Sequence, residues 1–194
     1  GESWELIGNV VLASPGSAEP VSDIDFELTK KIRNFYEKYR DGSTFLEGNW
    51  KEFSPDQTMR FVEKIFSGGY INKSKKLNGV VQLFNTFNIK NQYLKDAIGC
   101  IGVNSNLLFS FDVANSFNEK PTYFGFSGEV LNSEILRLVA EKIFSESSMK
   151  VKNMYHPDFS KNKFYHPMYV NRAFKQDHFK KYKNSILVPF FKSV

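Results

Sequence analysis

Apolar residues recur three or four positions apart in several segments of the chain, which is the spacing of one face of a helix. This pattern predicts helices over residues 24–39, 54–66 and 133–144, and a short fourth helix within residues 170–182. Charged residues fill the positions between the apolar ones. Each of the first three segments is therefore expected to pack one face against a core.

Capping residues mark the ends of the first two predicted helices. Ser22 or Asp23 is the expected N-cap of the first helix. Ser54 is the expected cap of the second, Pro55 suits its first turn, and Gly68 can end it. The second helix therefore has the most complete set of boundary signals in the chain.

Runs rich in β-branched and aromatic residues predict strands between the helices. They cover residues 4–12, 80–87, 98–103, 107–113, 122–126 and 186–191. Pro189 makes the last run an edge strand, because proline cannot donate a hydrogen bond to a ladder. The short spacers between residues 80 and 126 favour an antiparallel meander. We therefore expect a single α+β domain over residues 1–194, with an antiparallel sheet of about five to six strands and three to four helices packed mainly on one face.

Charge is distributed unevenly along the chain. The formal net charge is +5, but residues 150–194 hold 10 basic and 2 acidic side chains, a net of +8. Residues 1–69 hold 8 basic and 12 acidic side chains, a net of −4. An acidic end and a basic, aromatic-rich C-terminal segment favour recognition of a charged partner.

No local motif for catalysis or cofactor binding accompanies this pattern. The sequence lacks the Gly-x-Ser-x-Gly turn of serine hydrolases and the glycine-rich loops that bind phosphates. Cys100, the only cysteine, lies in an apolar run, where a thiol usually packs as a small hydrophobe. We therefore predict no cofactor and no enzymatic activity. No apolar run is long enough to span a membrane. The single cysteine favours the cytoplasm, and the periplasm is the alternative if a signal peptide preceded Gly1.

The three histidines support an alternative hypothesis, that the fold assembles a metal site or a hydrolase site. His156, His166 and His178 lie within 23 residues, with Asp158 close by in the sequence. A metal site would require several of these side chains to converge on one ion. Their spacing matches no zinc motif, and the two Tyr-His-Pro triplets are equally typical of two similar turns. We expect no metal, with these four residues as the alternative.

Nucleic-acid binding by the C-terminal segment is a second alternative. Its basic residues are Lys161, Lys163, Arg172, Lys175, Lys180, Lys181 and Lys183, interleaved with Phe164, Tyr165, Tyr169, Phe174, Phe179 and Tyr182. Cations beside aromatic rings are typical of proteins that bind single strands. A solvated basic face over aromatic core residues explains the same pattern.

The order of these features along the chain is similar to that of a known class of proteins. An opening strand precedes the helix at 27–39, the loop Leu46-Glu47-Gly48-Asn49-Trp50, the capped helix at 54–66 and the strand at 80–87. Small-residue and apolar strands at 99–102 and 106–113, the helix at 133–144 and Tyr155-His156-Pro157-Asp158-Phe159 follow. This order resembles the small α+β immunity proteins of bacterial polymorphic toxin systems, in particular the family paired with restriction-endonuclease-like toxins. The basic C-terminal segment departs from that pattern.

The resemblance implies a non-catalytic immunity protein that binds and neutralises a cognate toxin, the effector of a secretion system, in the bacterial cytoplasm. An inhibitor of a nuclease is expected to offer acidic groups to a basic active site. The candidate contact residues are Glu19, Asp23, Asp25, Glu27, Glu47, Trp50, Glu52 and Asp56.

Overall fold

Helices surround a small parallel sheet in the computed structural model, which describes residues 4–16, 18–40, 50–91, 93–99 and 109–194. The strands are β1 (Leu6–Leu12), β2 (Pro20–Asp23), β3 (Lys51–Phe53), β4 (Val80–Asn85) and β5 (Thr122–Phe124). The helices are α1 (Phe26–Tyr39), α2 (Gln57–Ser67), α3 (Leu94–Gly99), α4 (Gly128–Asn132), α5 (Glu134–Glu146), α6 (Pro167–Ala173), α7 (Lys180–Tyr182) and α8 (Val188–Ser193). A π-helical turn, Lys183–Leu187, joins α7 to α8.

The described strands form two separate sheets. β1 lies between β4 and β5 and runs parallel to both. Asn9 of β1 pairs with Gln82 of β4 on one side and with Thr122 of β5 on the other. β2 and β3 form an antiparallel ribbon of their own.

The α+β class is confirmed, but the predicted antiparallel sheet of five to six strands with three to four helices is wrong. Val10, Val11 and Leu12 are all buried, so β1 is covered on both faces. A continuous apolar run of this kind is typical of a central parallel strand. Parallel neighbours require long crossovers, and the stretches of chain from β1 to β4 and from β1 to β5 both contain helices.

The strands predicted around residues 98–113 are also corrected. Ile98 and Gly99 complete α3, and residues 100–108, with Cys100, lie outside the described residues. Phe109 makes an isolated antiparallel bridge to Phe87, and Val113 begins a 3-10 turn. The small-residue strand that contributed to the resemblance is therefore not found at its described positions.

The predicted edge strand at residues 186–191 is helical. Tyr182, Ile186 and Phe190 are buried at intervals of four, so they form one face of a helix. Pro189 lies in the first turn of α8, where the missing N–H costs little. The apolar run has helical spacing once it is continued back to Tyr182.

Side chains cap the first two helices at positions close to those predicted. Asp25, rather than Ser22 or Asp23, caps α1 and accepts a hydrogen bond from the Leu28 N–H at 2.7 Å. Asp56, rather than Ser54, caps α2. The predicted end of α2 at Gly68 is confirmed, with a left-handed φ of +82°.

Aromatic side chains fill the centre of the core. Phe124 of β5 is fully buried, and its ring contacts those of Phe117, Phe144 and Tyr155 with centroids 5.3–6.2 Å apart. Edge-to-face contacts of this kind add to the stabilisation from apolar burial. Among the residues that the structure describes, no helix has both the length and the apolar character needed to cross a bilayer.

Candidate functional site

The ribbon of β2 and β3 is the most exposed secondary structure among the described residues. All residues of both strands are exposed to solvent. Asp23 forms a salt bridge with Lys51 across the ribbon, and Ser22 Oγ donates a hydrogen bond to Glu52 Oε2 at 3.1 Å. We call Glu19, β2, β3 and the first turn of α1 the acidic ribbon surface.

Three large apolar side chains lie on this surface. Phe26 is 78% exposed, Val21 64% and Phe53 46%. Single exposed apolar residues are common on soluble proteins; three of them on and beside one two-stranded ribbon make this region the candidate for a surface that a partner covers.

The carboxylates predicted to contact a partner are concentrated in the same region. Residues 18–27 and 50–56 hold six acidic side chains and one basic one, Lys51. Glu19 precedes β2 and pairs with Lys90 at 2.7 Å. Glu27 lies exposed in the first turn of α1. The structure therefore places Glu19, Asp23, Glu27 and Glu52 on the acidic ribbon surface.

Two of the predicted contact acids have structural roles. Asp25 caps α1, and Asp56 caps α2 by accepting a hydrogen bond from the Met59 N–H at 2.8 Å. Asp25 remains exposed, whereas Asp56 is half-buried beside the loop that contains Gly16. Asp56 is therefore less available to a partner than the ribbon acids.

Trp50 and Glu47 are less informative about partner contact. Trp50 is half-buried, and its ring lies edge-on to that of Tyr36 with centroids 5.2 Å apart. It thereby packs the start of β3 against α1. Glu47 lies outside the described residues.

The three histidines make separate local contacts. His156 Nδ1 accepts a hydrogen bond from the Asp158 N–H at 2.9 Å, and His166 Nδ1 accepts one from the Met168 N–H at 3.3 Å. The two Tyr-His-Pro triplets thus form similar turns. His178 Nε2 lies 3.2 Å from the Tyr169 hydroxyl. No group of three His, Cys, Asp or Glu side chains in the described part of the chain is arranged to hold a metal ion.

His166 has an electrostatic environment that sequence spacing did not reveal. Burial lowers its pKa below the usual value of 6.5, and the carboxylates of Glu129 and Asp56 partly oppose that shift. These acids come from α4 and from the cap of α2, far apart in the sequence. Because Nδ1 accepts a hydrogen bond, the neutral imidazole carries its proton on Nε2.

The aromatic residues of the C-terminal segment belong mostly to the core. Phe164, Phe179 and Tyr182 are buried, and Tyr165 is half-buried. Tyr169 is 40% exposed. This burial favours the interpretation as a basic face over a packed aromatic layer, and it removes most of the rings predicted to stack on bases.

A shallow groove of about 380 Å³ lies along α4 and α5. Its lining includes Leu131, Leu138 and Glu134. Arg137 and Glu141, which also line it, form a salt bridge of 2.8 Å with each other. None of the three histidines lines this groove.

Comparisons of the chain with protein-family models, with curated proteins and with solved structures found no match. The function must therefore be inferred from the surfaces of the chain itself.

Proposed function

We propose that this chain is a non-catalytic binding protein that docks on a basic partner protein through its acidic ribbon surface. The observation that carries the proposal is the exposure of three apolar side chains among carboxylates: Val21 and Phe53 on strands that bury no residue of their own, and Phe26 in the first turn of α1. Aromatic side chains that fill a pocket of the partner commonly provide most of the binding energy at an interface.

The charge of the surface indicates the chemistry of the partner. Six carboxylates against one lysine in residues 18–27 and 50–56 create a negative potential. Such a potential accelerates encounter with a positively charged protein and disfavours acidic ones. Salt bridges to Lys51 and Lys90 neutralise part of it. Glu27 and Glu52 take part in no ion pair among the described residues, so both remain free to meet cations of a partner.

An immunity protein that neutralises a bacterial nuclease toxin is the specific form that we propose. The order of β1, α1, Trp50, α2, β4 and α5 supports the resemblance to that class. A nuclease presents cations around its substrate site, which is the chemistry that the acidic ribbon surface fits. The proposal places the chain in the cytoplasm, where such a toxin meets nucleic acid.

Titration of this chain against the product of the adjacent gene tests the proposal. We expect a one-to-one complex that buries roughly 1,200–2,000 Å². Phe26→Ala should weaken it by about 30-fold or more, the loss typical of a central anchor residue. Tyr93→Ala is the matched control, because Tyr93 is a 64% exposed aromatic residue outside the acidic ribbon surface.

Two results would contradict the proposal. One is the absence of a complex with an adjacent product that is itself a toxin. The other is a complex that Phe26→Ala and Tyr93→Ala weaken equally, since the contact would then not depend on the acidic ribbon surface. Glu52→Lys provides a further check, because reversing a charge near the interface should slow association and reduce its dependence on salt.

A further inference from the structure

The C-terminal segment contains a group of exposed cations that is separate in sequence from the acidic ribbon surface. Arg172, Lys175, Lys180 and Lys181 fall within ten residues, from the last turn of α6 to α7. All four are exposed, and none takes part in an ion pair among the described residues. We call these four residues, with Tyr169 and His178, the basic patch.

An exposed aromatic ring is held in place within the basic patch. The Tyr169 hydroxyl lies 3.2 Å from His178 Nε2, and its ring lies 4.6 Å from that of Tyr165. Tyr165 in turn stacks on the fully buried Phe179, with centroids 5.7 Å apart. The Tyr169 ring therefore packs against the core through Tyr165, while 40% of the residue remains exposed. Arg172 lies one turn further along the same helix.

A supported ring among unpaired cations fits one class of polyanion well. Cations neutralise phosphates, and a flat ring offers a stacking surface to an unpaired base. An acidic protein would use the cations but has no group that requires the ring. We propose that the basic patch binds the phosphate backbone of single-stranded nucleic acid, with one base stacked on Tyr169. This inference does not depend on the proposed partner of the acidic ribbon surface.

The number of cations sets the expected dependence on salt. Four phosphate contacts on a single strand give a slope of about −2.8 for the logarithm of the binding constant against the logarithm of the salt concentration. Affinity should therefore fall by about 50-fold between about 50 and 200 mM salt. Removing two of the four contacts should reduce the slope to about half.

Fluorescence anisotropy with a labelled oligothymidylate of about 16 nucleotides tests the inference on the full chain. Lys180→Glu with Lys181→Glu should reduce both the affinity and the salt slope. Lys30→Glu with Lys31→Glu is the matched control, because this adjacent pair is also exposed on a helix, α1. The control pair should leave the affinity nearly unchanged. Equal losses from both pairs would overturn the inference, since they would indicate a response to total charge alone.

Tyr169 provides a second and independent measurement. Tyr169→Ala should weaken binding by about 5- to 150-fold, the range measured for the loss of one stacked base. Tyr169→Phe keeps the ring and should retain most of the affinity. Unchanged binding by Tyr169→Ala, with circular dichroism like that of the parent, would overturn the inference. Equal competition by polyglutamate or by duplex DNA would overturn it as well, because neither offers an unpaired base.

Discussion

Asn9 lies at the centre of the sheet, so its substitution is the most direct test of the parallel order β4-β1-β5. It is fully buried, and its side chain joins three parallel strands. Nδ2 donates to Thr122 Oγ1 of β5 at 3.1 Å and to the Phe117 carbonyl at 3.0 Å, while Oδ1 accepts a hydrogen bond from Gln82 Nε2 of β4 at 2.9 Å. In the antiparallel meander predicted from the sequence, β1 would have had no reason to lie between these two strands.

Asn9→Leu replaces the amide by an apolar group of similar size and removes all three hydrogen bonds. Each is worth about 1 kcal/mol net, and an unsatisfied buried group costs about 1–3 kcal/mol more. Each of the three partners keeps another hydrogen bond. The Phe117 carbonyl still accepts one from the Lys120 N–H at 3.0 Å, and Gln82 Nε2 and Thr122 Oγ1 keep bonds to the Ser116 and Lys120 carbonyls. We therefore expect a loss of about 2–4 kcal/mol in the free energy of unfolding from the three hydrogen bonds alone, a substantial part of the 5–15 kcal/mol typical of a native protein.

Urea unfolding followed by circular dichroism measures this loss. The midpoint should fall while the slope with urea stays the same, because the surface exposed on unfolding does not change. Asn88→Leu is the control, since Asn88 is exposed and should change the stability by less than about 0.5 kcal/mol. The double variant with Gln82→Leu should cost about 1–2 kcal/mol less than the sum of the two single changes, because Asn9 and Gln82 interact directly. A loss below about 1 kcal/mol for Asn9→Leu, or strict additivity in the double variant, would refute the three-strand arrangement.

Two further predictions concern local structure around the same sheet. Burial lowers the pKa of His166 below 6.5, so on acidification the unfolded chain takes up the proton at a higher pH than the folded chain does. The contribution of His166 to stability is therefore complete above pH 6.5 and should be lost as the pH falls through the folded-state pKa. His166→Asn keeps a capping side chain and should flatten the loss of melting temperature between about pH 7 and pH 5; an unchanged pH profile in this variant would contradict the prediction. Gly68→Ala should cost about 1–3 kcal/mol in urea unfolding, since φ is +82° and the added Cβ would lie 2.7 Å from Phe191 Cε2. Gly128→Ala, whose Cβ would meet nothing within 4 Å, should be neutral or slightly stabilising, and equal costs at both glycines would contradict the geometry.

Local signals in the sequence predicted elements whose boundaries depend on neighbouring residues. Helical spacing gave α1, α2 and α5, and the end of α2 follows from Gly68, because glycine adopts a left-handed φ without strain. Strand pairing depends instead on the path of the long connections that cross the sheet. The short spacers predicted an antiparallel meander, and that prediction is wrong because β4 and β5 are not hydrogen-bonded to each other. The uninterrupted apolar run at Val10 to Leu12 was the available signal for a central parallel strand.

The candidate surface was predictable in charge but not in shape. The acidic residues predicted a partner surface within residues 19–56. The position of β2 was not predicted, because it lies in a stretch rich in Pro, Ser and Ala, which is typical of a loop. The exposure of Val21 and Phe26 had no signal in the sequence, because Val21 stands alone in that stretch and Phe26 falls between the apolar positions of the predicted helix at 24–39. Exposure of those side chains could be established only from the fold.

The acids of this region therefore differ in what their substitution can reveal. Asp25 and Asp56 are N-caps, so replacing either by alanine should cost about 1 kcal/mol of stability whether or not a partner is present. Asp23 is engaged with Lys51, so its removal also releases a cation onto the same surface. Glu27 and Glu52 cap no helix, and each is exposed. A loss of binding on changing Glu27 or Glu52, with stability unchanged, therefore reports on the partner interface, whereas the same loss at Asp25 or Asp56 would not separate binding from folding.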